Sequence, residues 1–504
     1  MSIDDVELVY YSTLSSLKVN GTDIKLQDGV YEYNGVGSIA NGCVVATPTS
    51  QFATVAYSYD KNVVTVTVTA NDGKSKEYKV VFPSAESIAT NYKNQINVDF
   101  AGNVTSSAND VVISANSDNT IDFKLNNFAF EGSVVGDILV PNVQIAWNGD
   151  KVHLTSEQNI TIESETFAGL KNMPMTLDAD VDKDKNLTAS LDITWNSQKI
   201  GVSVCKMPFD YSIDGTALTI KNGEVKAADY STNLVAGLAM GMTSIDLSGV
   251  TIADENFYDN VVAAYGNNAV YFVGNNNVEG DNIVKNGNAQ TLTLIDEDES
   301  MPFGSAFGFT AAAVSYDRVF KTDNYVQSFV LPFGFTVPTG TTVAELSSVN
   351  GDNLVFKPVA ETVANKPYLV VTTDADFINN LKNVQVKATT GADLTTTVAG
   401  VSHIGSYTAQ NVANVYGYAN GKFVKANTGS VKPFRTYVKV AGMQAAPMAF
   451  GVNIEGTVTG INNATTAATA KEAIYNLQGV RVSGDLKHLT KGVYIVNGQK
   501  VVVK

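Results

Sequence analysis

Val63-Val64-Thr65-Val66-Thr67-Val68-Thr69, then Asn71-Asp72-Gly73, then Tyr78-Lys79-Val80-Val81-Phe82 is the stretch that decides the fold class. Successive side chains of a strand point to opposite faces, so valine alternating with threonine gives one apolar and one hydroxylated face. A helix would scatter the same valines around its circumference. Asp-Gly then favours the tight turn that brings the chain back antiparallel. The same punctuation recurs at Asn20-Gly21, Asn34-Gly35, Asn148-Gly149, Asp214-Gly215, Asn222-Gly223, Asn286-Gly287, Asn350-Gly351, Asn420-Gly421 and Asn497-Gly498, each flanked by apolar or alternating residues. Helical periodicity is scarce, with Thr232–Met240 and Ala375–Leu381 the best short candidates. The expected class is all-β: a multi-domain chain of β-sandwiches with one barrel.

A chain of 504 residues exceeds what one hydrophobic core usually serves, which implies several modules. Lys plus Arg number 34 against 50 for Asp plus Glu, a formal charge of -16. Such a chain repels phosphate backbones, and no Lys/Arg stripe reverses the sign locally, so nucleic acid is excluded as the expected partner. Cys43 and Cys205 stand far apart with no zinc or CxxC spacing. No run reaches the roughly 18 apolar residues of a membrane span. The opening Met-Ser-Ile-Asp-Asp lacks a basic and apolar leader, so a signal peptide is expected to be absent or already removed.

Residues 1–83 read as a sandwich. Leu14-Ser-Ser-Leu17-Lys-Val19-Asn20-Gly21 at its start and the closing run through Phe82 resemble the bacterial cadherin-like β-sandwich family, which implies a spacer or adhesion module. The carboxylates of a cadherin calcium site are missing. Residues 84–206 carry Ile121-Asp-Phe123-Lys-Leu125, Gly136-Asp-Ile138-Leu-Val140-Pro141, Met173-Pro-Met175-Thr-Leu177, Leu187-Thr-Ala-Ser-Leu191-Asp-Ile193-Thr-Trp195 and Ile200-Gly-Val202-Ser-Val204. Antiparallel strands of this length and spacing can close into an up-and-down barrel. Their order resembles the calycin-like (lipocalin-related) domains of Bacteroidetes secreted proteins, although the stretch from Tyr92 lacks the lipocalin Gly-x-Trp.

Residues 207–300 are β-rich without a legible topology. Residues 301–456 form a further sandwich, in which Ser328-Phe-Val-Leu331-Pro332-Phe333 and Ala364-Asn-Lys-Pro367-Tyr368-Leu369-Val370 resemble a module of Bacteroidetes surface proteins. Residues 457–472 are a small-residue linker. In residues 473–504, Gly479-Val-Arg481-Val482 and Lys491-Gly492-Val-Tyr494-Ile-Val496 resemble the C-terminal sorting domains of the type IX secretion pathway. These resemblances together imply a secreted or outer-surface protein.

Catalytic motifs are sparse. His153, His403 and His488 fall in three different modules, and a nucleophile needs its base within hydrogen-bond reach. Gly304-Ser-Ala-Phe-Gly308 places serine one position early for a nucleophile elbow, and no HExxH, P-loop or GxGxxG occurs. The chain is therefore expected to be non-enzymatic and to use no cofactor. Asp178, Asp180, Asp182 and Asp184 are the metal candidates, because alternating oxygens can converge on a cation. Lys183 and Ala189 occupy the EF-hand Gly and Glu places, so a polar hairpin is the simpler reading. Asp296-Glu-Asp-Glu299 is likewise read as a solvated turn.

Flat rings stack on sugar faces, which makes Tyr258, Tyr265, Tyr325, Tyr416 and Tyr418, all near Gly/Asn-rich stretches, ligand-binding candidates against sheet packing as the alternative. Trp147 is placed at a barrel mouth and Trp195 in the core. Arg318 and Arg435, inside strand motifs, are read as partners of buried polar groups. The expected function is adhesion or recognition, with a glycan or extracellular protein as partner. The alternatives are a calycin-like carrier of a small ligand and a glycan-active hydrolase with paired carboxylates.

Overall fold

A computed structural model describes residues 11–130, 133–164, 170–226, 230–253, 255–263, 268–296, 301–442, 446–456, 474–476, 481–482, 492–496 and 499–503. The proposed linker, Tyr265, His488, Glu297–Glu299 and the turn Asn497-Gly498 lie outside them. The chain divides into two compact units, Met1–Gln290 and Thr291–Lys504. The fold is all-β apart from short helical pieces.

The first unit opens with a sandwich. One sheet holds β1 (Leu14–Val19), β2 (Thr22–Ile24) and β4 (Val44–Pro48); the other holds β3 (Glu32–Asn34), β5 (Thr54–Asp60), β6 (Val63–Thr69) and β7 (Ser75–Val81). The valines of β6 do alternate: Val64, Val66 and Val68 are buried and the threonines half-exposed. They pack with Leu17, Val19, Tyr78 and Phe82. Asn20 and Gly21, at φ 48° and 80°, make the β1–β2 turn with both residues left-handed.

Helix α1 (Ala85–Ile88) leads into a closed barrel of eight strands. These are β8 (Thr90–Phe100), β9 (Asn103–Ala115), β10 (Ile121–Phe130), β11 (Ser133–Asn148), β12 (Lys151–Ile160), β13 (Met173–Val181), β14 (Leu187–Trp195) and β15 (Gln198–Lys206). Every neighbour is antiparallel, and β15 closes on β8 with Val202 opposite Val98. Along β13 and β14 burial alternates at every residue: Met175, Leu177, Leu191 and Ile193 face inward, while Thr176, Asp178 and Ser190 face out. Each fully buried Leu or Ile contributes roughly 1.5–3 kcal/mol, so a register slip of one residue would reverse the sign of the whole strand.

The region without a legible topology is a stack of parallel strands. After β16 (Asp210–Asp214) pairs antiparallel with β17 (Ala217–Val225), the chain passes through helix α2 (Tyr230–Ala239) to β18 (Ser244–Ile252). A π-helical turn, Tyr258–Ala263, then leads to β19 (Val270–Gly274), β20 (Ile283–Lys285) and β21 (Asn288–Leu294). β17, β18, β19 and β20 run parallel, with Leu218 opposite Ile245, Ile245 opposite Tyr271 and Tyr271 opposite Ile283. Asn276 ties two coils together, donating to Val250 O and accepting from the Ile252 N–H, both at 2.9 Å. The candidate helix near Thr232 is therefore present as α2, which packs against β9 of the barrel. Asn222-Gly223 is not a hairpin turn. It is a bulge inside β17, where a Cβ on Gly223 would strike the backbone at Pro208 and Phe209.

The second unit carries β22 (Phe309–Tyr316), β23 (Gln327–Val330), β24 (Thr341–Asn350), β25 (Asn353–Val359), β26 (Pro367–Thr372), β27 (Lys382–Val386), β28 (Thr395–Val398), β29 (Val401–Ser406), β30 (Gln410–Ala419), β31 (Lys422–Val431), β32 (Arg435–Val440) and β33 (Ala449–Ile454). β22 pairs with β27, and the other ten form one sheet in the order β23-β26-β24-β25-β33-β31-β30-β32-β29-β28. Its core joins Leu346, Phe356, Leu369, Tyr416, Phe423 and Val438. Ala375–Leu381 forms turns rather than a helix, because burying Phe377 and Ile378 overrides its weak helical pattern. Four short strands within 474–503 pair antiparallel.

Candidate functional site

The barrel has two unlike ends. At the end nearest the sandwich, Ala85 and Ile88 of α1 join the barrel core. Asn119 anchors that segment, accepting from the Ala85 N–H and donating to Pro83 O, both at 2.9 Å. Trp147 sits at this closed end, and its Nε1 donates to Val81 O at 3.3 Å. Its expected place at an open mouth is thus corrected: the strand phase is inward, but this end is covered. Trp195, read from sequence as core, lies half-buried at the opposite end. There it lines an apolar cavity with Phe100, Phe128, Val135, Met173 and Ile193. That cavity measures about 40 Å³, against roughly 300–1,000 Å³ for ordinary small-molecule pockets. Elsewhere along the strands, side chains fill the interior.

The aspartate run does not converge. Asp178 is exposed on the outer face of β13. Asp180, next on that face, meets His153 Nδ1 at 2.9 Å and Lys151 Nζ at 3.9 Å. Asp182 builds the β13–β14 turn, accepting from the backbone N–H of Asp184 and Asn186 and from Asn186 Nδ2 at 2.8–2.9 Å. The Asn186 side chain first, then the backbone N–H groups, hold its carboxyl below the ordinary value. Asp184 stays exposed in the turn. Among the described residues no cluster of three His, Cys, Asp or Glu side chains could hold a metal ion.

Asp296 corrects another expectation. It is fully buried, not in a solvated turn, because it continues the inward phase of Leu292 and Leu294. Its Oδ2 accepts from Tyr316 Oη at 2.5 Å and from Arg435, and Arg318 Nε lies at 3.9 Å. Arg318 also donates to Ser328 O at 2.9 Å and stacks 4.3 Å from the Phe320 ring centroid. His403 is equally buried between Phe356 and Phe423, with Nε2 2.7 Å from Thr436 Oγ1. Burial pushes its pKa down to about 3.

The candidate tyrosines separate sharply. Tyr416 is fully buried, edge-on to Phe450 at 5.0 Å and donating to Pro447 O, so it presents no face to a ligand. Tyr258 is half-buried, and its hydroxyl accepts from the Asp281 N–H. Tyr418 follows Tyr416 on the same face of β30 but lies one step from the Asn420-Gly421 turn, so it is only half-buried, edge-on to Phe423 at 5.4 Å. Burial pushes its pKa up to about 12, and the charge of Tyr325 adds to that rise. Tyr325 is 47% exposed, with Lys321 Nζ 4.3 Å from its ring centroid. Gln327 holds the intervening loop by hydrogen bonds to both the N–H and the C=O of Lys321, at 3.1 and 3.0 Å. The exposed Tyr325 ring and the Lys321 ammonium group on a braced loop form a surface suited to stacking on a flat apolar face. Proximity to Gly/Asn-rich stretches could not show that Tyr325 is exposed while Tyr416 is fully buried.

Residues 88–207 match the family of calycin-like beta-barrel domains, roughly a quarter of the chain. No curated protein gives a significant match. Among solved structures, a Bacteroides fragilis protein provisionally described as an outer membrane protein aligns at 13% identity over 40% of this chain and 97% of its own, with a TM-score of 0.21. Transferrin Binding Protein B of Haemophilus parasuis, as a tryptophan-to-alanine mutant, aligns at 13% identity over 38% of this chain and 43% of its own, with a TM-score of 0.15. Structural alignments this weak say nothing about what the chain binds. The barrel assignment stands on the family match and the closed eight-stranded topology. No helix among the described residues is long and apolar enough to cross a membrane.

Proposed function

Taking residues 88–207 as a calycin-like barrel with a filled interior, we propose that this chain is a non-enzymatic adhesion or recognition protein. It acts outside the cell, secreted or at the outer surface, and binds glycans or proteins through its own surface. The observation that carries this reading is the exposed ring of Tyr325, with Lys321 Nζ 4.3 Å from its centroid on the loop that Gln327 braces. Ring stacking on a sugar face needs an accessible, rigidly held aromatic, and the Gln327 brace supplies the rigidity. The C-terminal strands, with their resemblance to type IX sorting domains, fit an exported protein.

Screening the purified chain on host glycans and extracellular-matrix proteins tests the reading. Binding that Tyr325→Ala weakens at least about tenfold supports it. Binding indifferent to Tyr325→Ala removes this surface from the account. The carrier alternative has one observation in its favour, the apolar cavity beside Trp195. At about 40 Å³ it would have to widen several-fold to take a ligand of ordinary size.

A further inference from the structure

What the edge of β5 offers is decided by the phase of its hydrogen bonds. Phe82 N–H donates to Asn62 O at 2.8 Å, so Asn62 and every second residue after it, Val64, Val66 and Val68, bond toward β7. Val63, Thr65, Thr67 and Thr69 therefore bond toward β5, where they stand opposite Asp60, Ser58, Ala56 and Thr54. Those residues of β5 spend both backbone groups on β6. Val55, Tyr57 and Tyr59 turn theirs to the other side. There β5 is the last strand of its sheet, and no backbone partner meets them among the described residues.

Such an edge is a template for another strand unless a proline, a lysine, a bulge or short length guards it. β5 runs for 7 residues, Thr54–Asp60, longer than any other edge strand among the described residues. It holds no proline or lysine, and its register against β6 is unbroken. The neighbouring edge, β4, differs. Its Ala46 N–H is taken by Tyr57 Oη at 2.9 Å, and Tyr59 Oη accepts from Gly42 N–H at 2.9 Å. Both rings are thereby fixed across the rim of the sandwich, each 39% exposed. The outer face of β5 carries the small residues Thr54, Ala56 and Ser58 before Asp60 ends the strand.

The free groups match a second copy of themselves. When two β5 strands run antiparallel about a two-fold axis at Tyr57, Tyr57 meets Tyr57 and Val55 meets Tyr59. Each pair then exchanges both of its hydrogen bonds. Sliding one copy by two residues leaves free groups unpaired. Val55 against Tyr59 is also a β-branched–aromatic pair, which favours adjacent strands. Asp60 and Lys61 close one end of β5, whereas Ser50, Gln51, Phe52 and Ala53 at the other end are uncharged. The antiparallel pairing sets the charged end against the neutral one, so like charges on β5 do not meet.

We propose that β5 is a homotypic docking edge, through which two copies of this chain join their β3-β7-β6-β5 sheets into one continuous sheet. The contact belongs to the N-terminal sandwich and stands whether or not the Tyr325 surface binds anything.

Sedimentation equilibrium on the full chain, from micromolar to high-micromolar concentration, tests this. The chain is expected to form a dimer that dissociates on dilution. Ala56 faces Ser58 of the other copy in the closely spaced, non-hydrogen-bonded pairs of the joined strands. Ala56→Lys/Ser58→Lys therefore sets lysine against lysine and weakens the dimer at least about tenfold. Ala56→Lys/Ser58→Glu sets lysine against glutamate at the same positions and keeps the dimer at wild-type strength or better. Both side chains are exposed, so dilute samples of either variant are expected to melt at the wild-type temperature. A chain that is monomeric throughout would leave the edge to a different partner and overturn the assignment. A dimer indifferent to the paired lysines, or broken equally by both double variants, would overturn it as well.

Discussion

Inside the barrel, β13 and β14 turn Met175, Leu177, Leu191 and Ile193 toward one another, and among the described residues no charged side chain is buried there. Inside the second unit, Asp296, Arg318 and His403 are as buried as the phenylalanines around them. The barrel is specified by a binary pattern, in which any apolar residue of similar volume serves. The second unit is specified partly by polar partners that must all be present, since a half-satisfied network is worse than an apolar one. Substitutions should therefore fail gradually in the first region and abruptly in the second.

The largest effect is expected for Asp296→Ala. It strands Arg318 and Arg435 without their shared carboxylate, and urea denaturation should show the second unit losing about 3–5 kcal/mol. Leu191→Ala in the barrel should cost about 2–5 kcal/mol by the same measurement, and Leu191→Met less than about 1.5. Equal tolerance of Asp296→Ala and Leu191→Met would erase the contrast.

The pH response sharpens it further. His403 has a folded pKa lowered to about 3, against about 6.5 unfolded. Between those values the unfolded state binds more protons, so stability falls as pH falls, with a limiting slope of about 1.4 kcal/mol per pH unit. The contribution is complete above roughly pH 6.5. His403→Phe should flatten this slope in the second unit, read from midpoints at pH 7, 6 and 5. The barrel has no buried histidine. Its depressed carboxyls, Asp118, Asp137 and Asp182, lose their contribution only as pH falls below the ordinary carboxylate range. The smallest effect belongs to Asp178→Asn, within about 0.5 kcal/mol, with millimolar calcium leaving the wild-type melting temperature unchanged.

The strand period explains both what could be read in the sequence and what misled. Alternation in Val63–Thr69 and Leu187–Trp195 is a direct image of one buried face, so the all-β class and the barrel strands were legible. Asp178-x-Asp180-x-Asp182 has the same period and is the polar phase of β13 running into its turn; a calcium loop would share that spacing. Asp296 sits in register with Leu292 and Leu294, so its burial follows the same period, which the acidic residues after it obscure. The parallel coils had a signal too, since Leu218, Ile245 and Tyr271 stand 27 and 26 residues apart, but nothing local marks a strand as parallel. Contacts across long separations, such as Asn94 with Cys205, depend on closure of sheets and have no local signature.

The most direct test of the central claim is a binding isotherm for the best array hit, taken for wild type and Tyr325→Ala with release of free sugar followed in the same samples. The account predicts saturable binding, no release, and at least about tenfold weaker binding in the variant. Sugar release would make the chain an enzyme. Identical isotherms for the two proteins would show that recognition lies elsewhere than the Tyr325 surface.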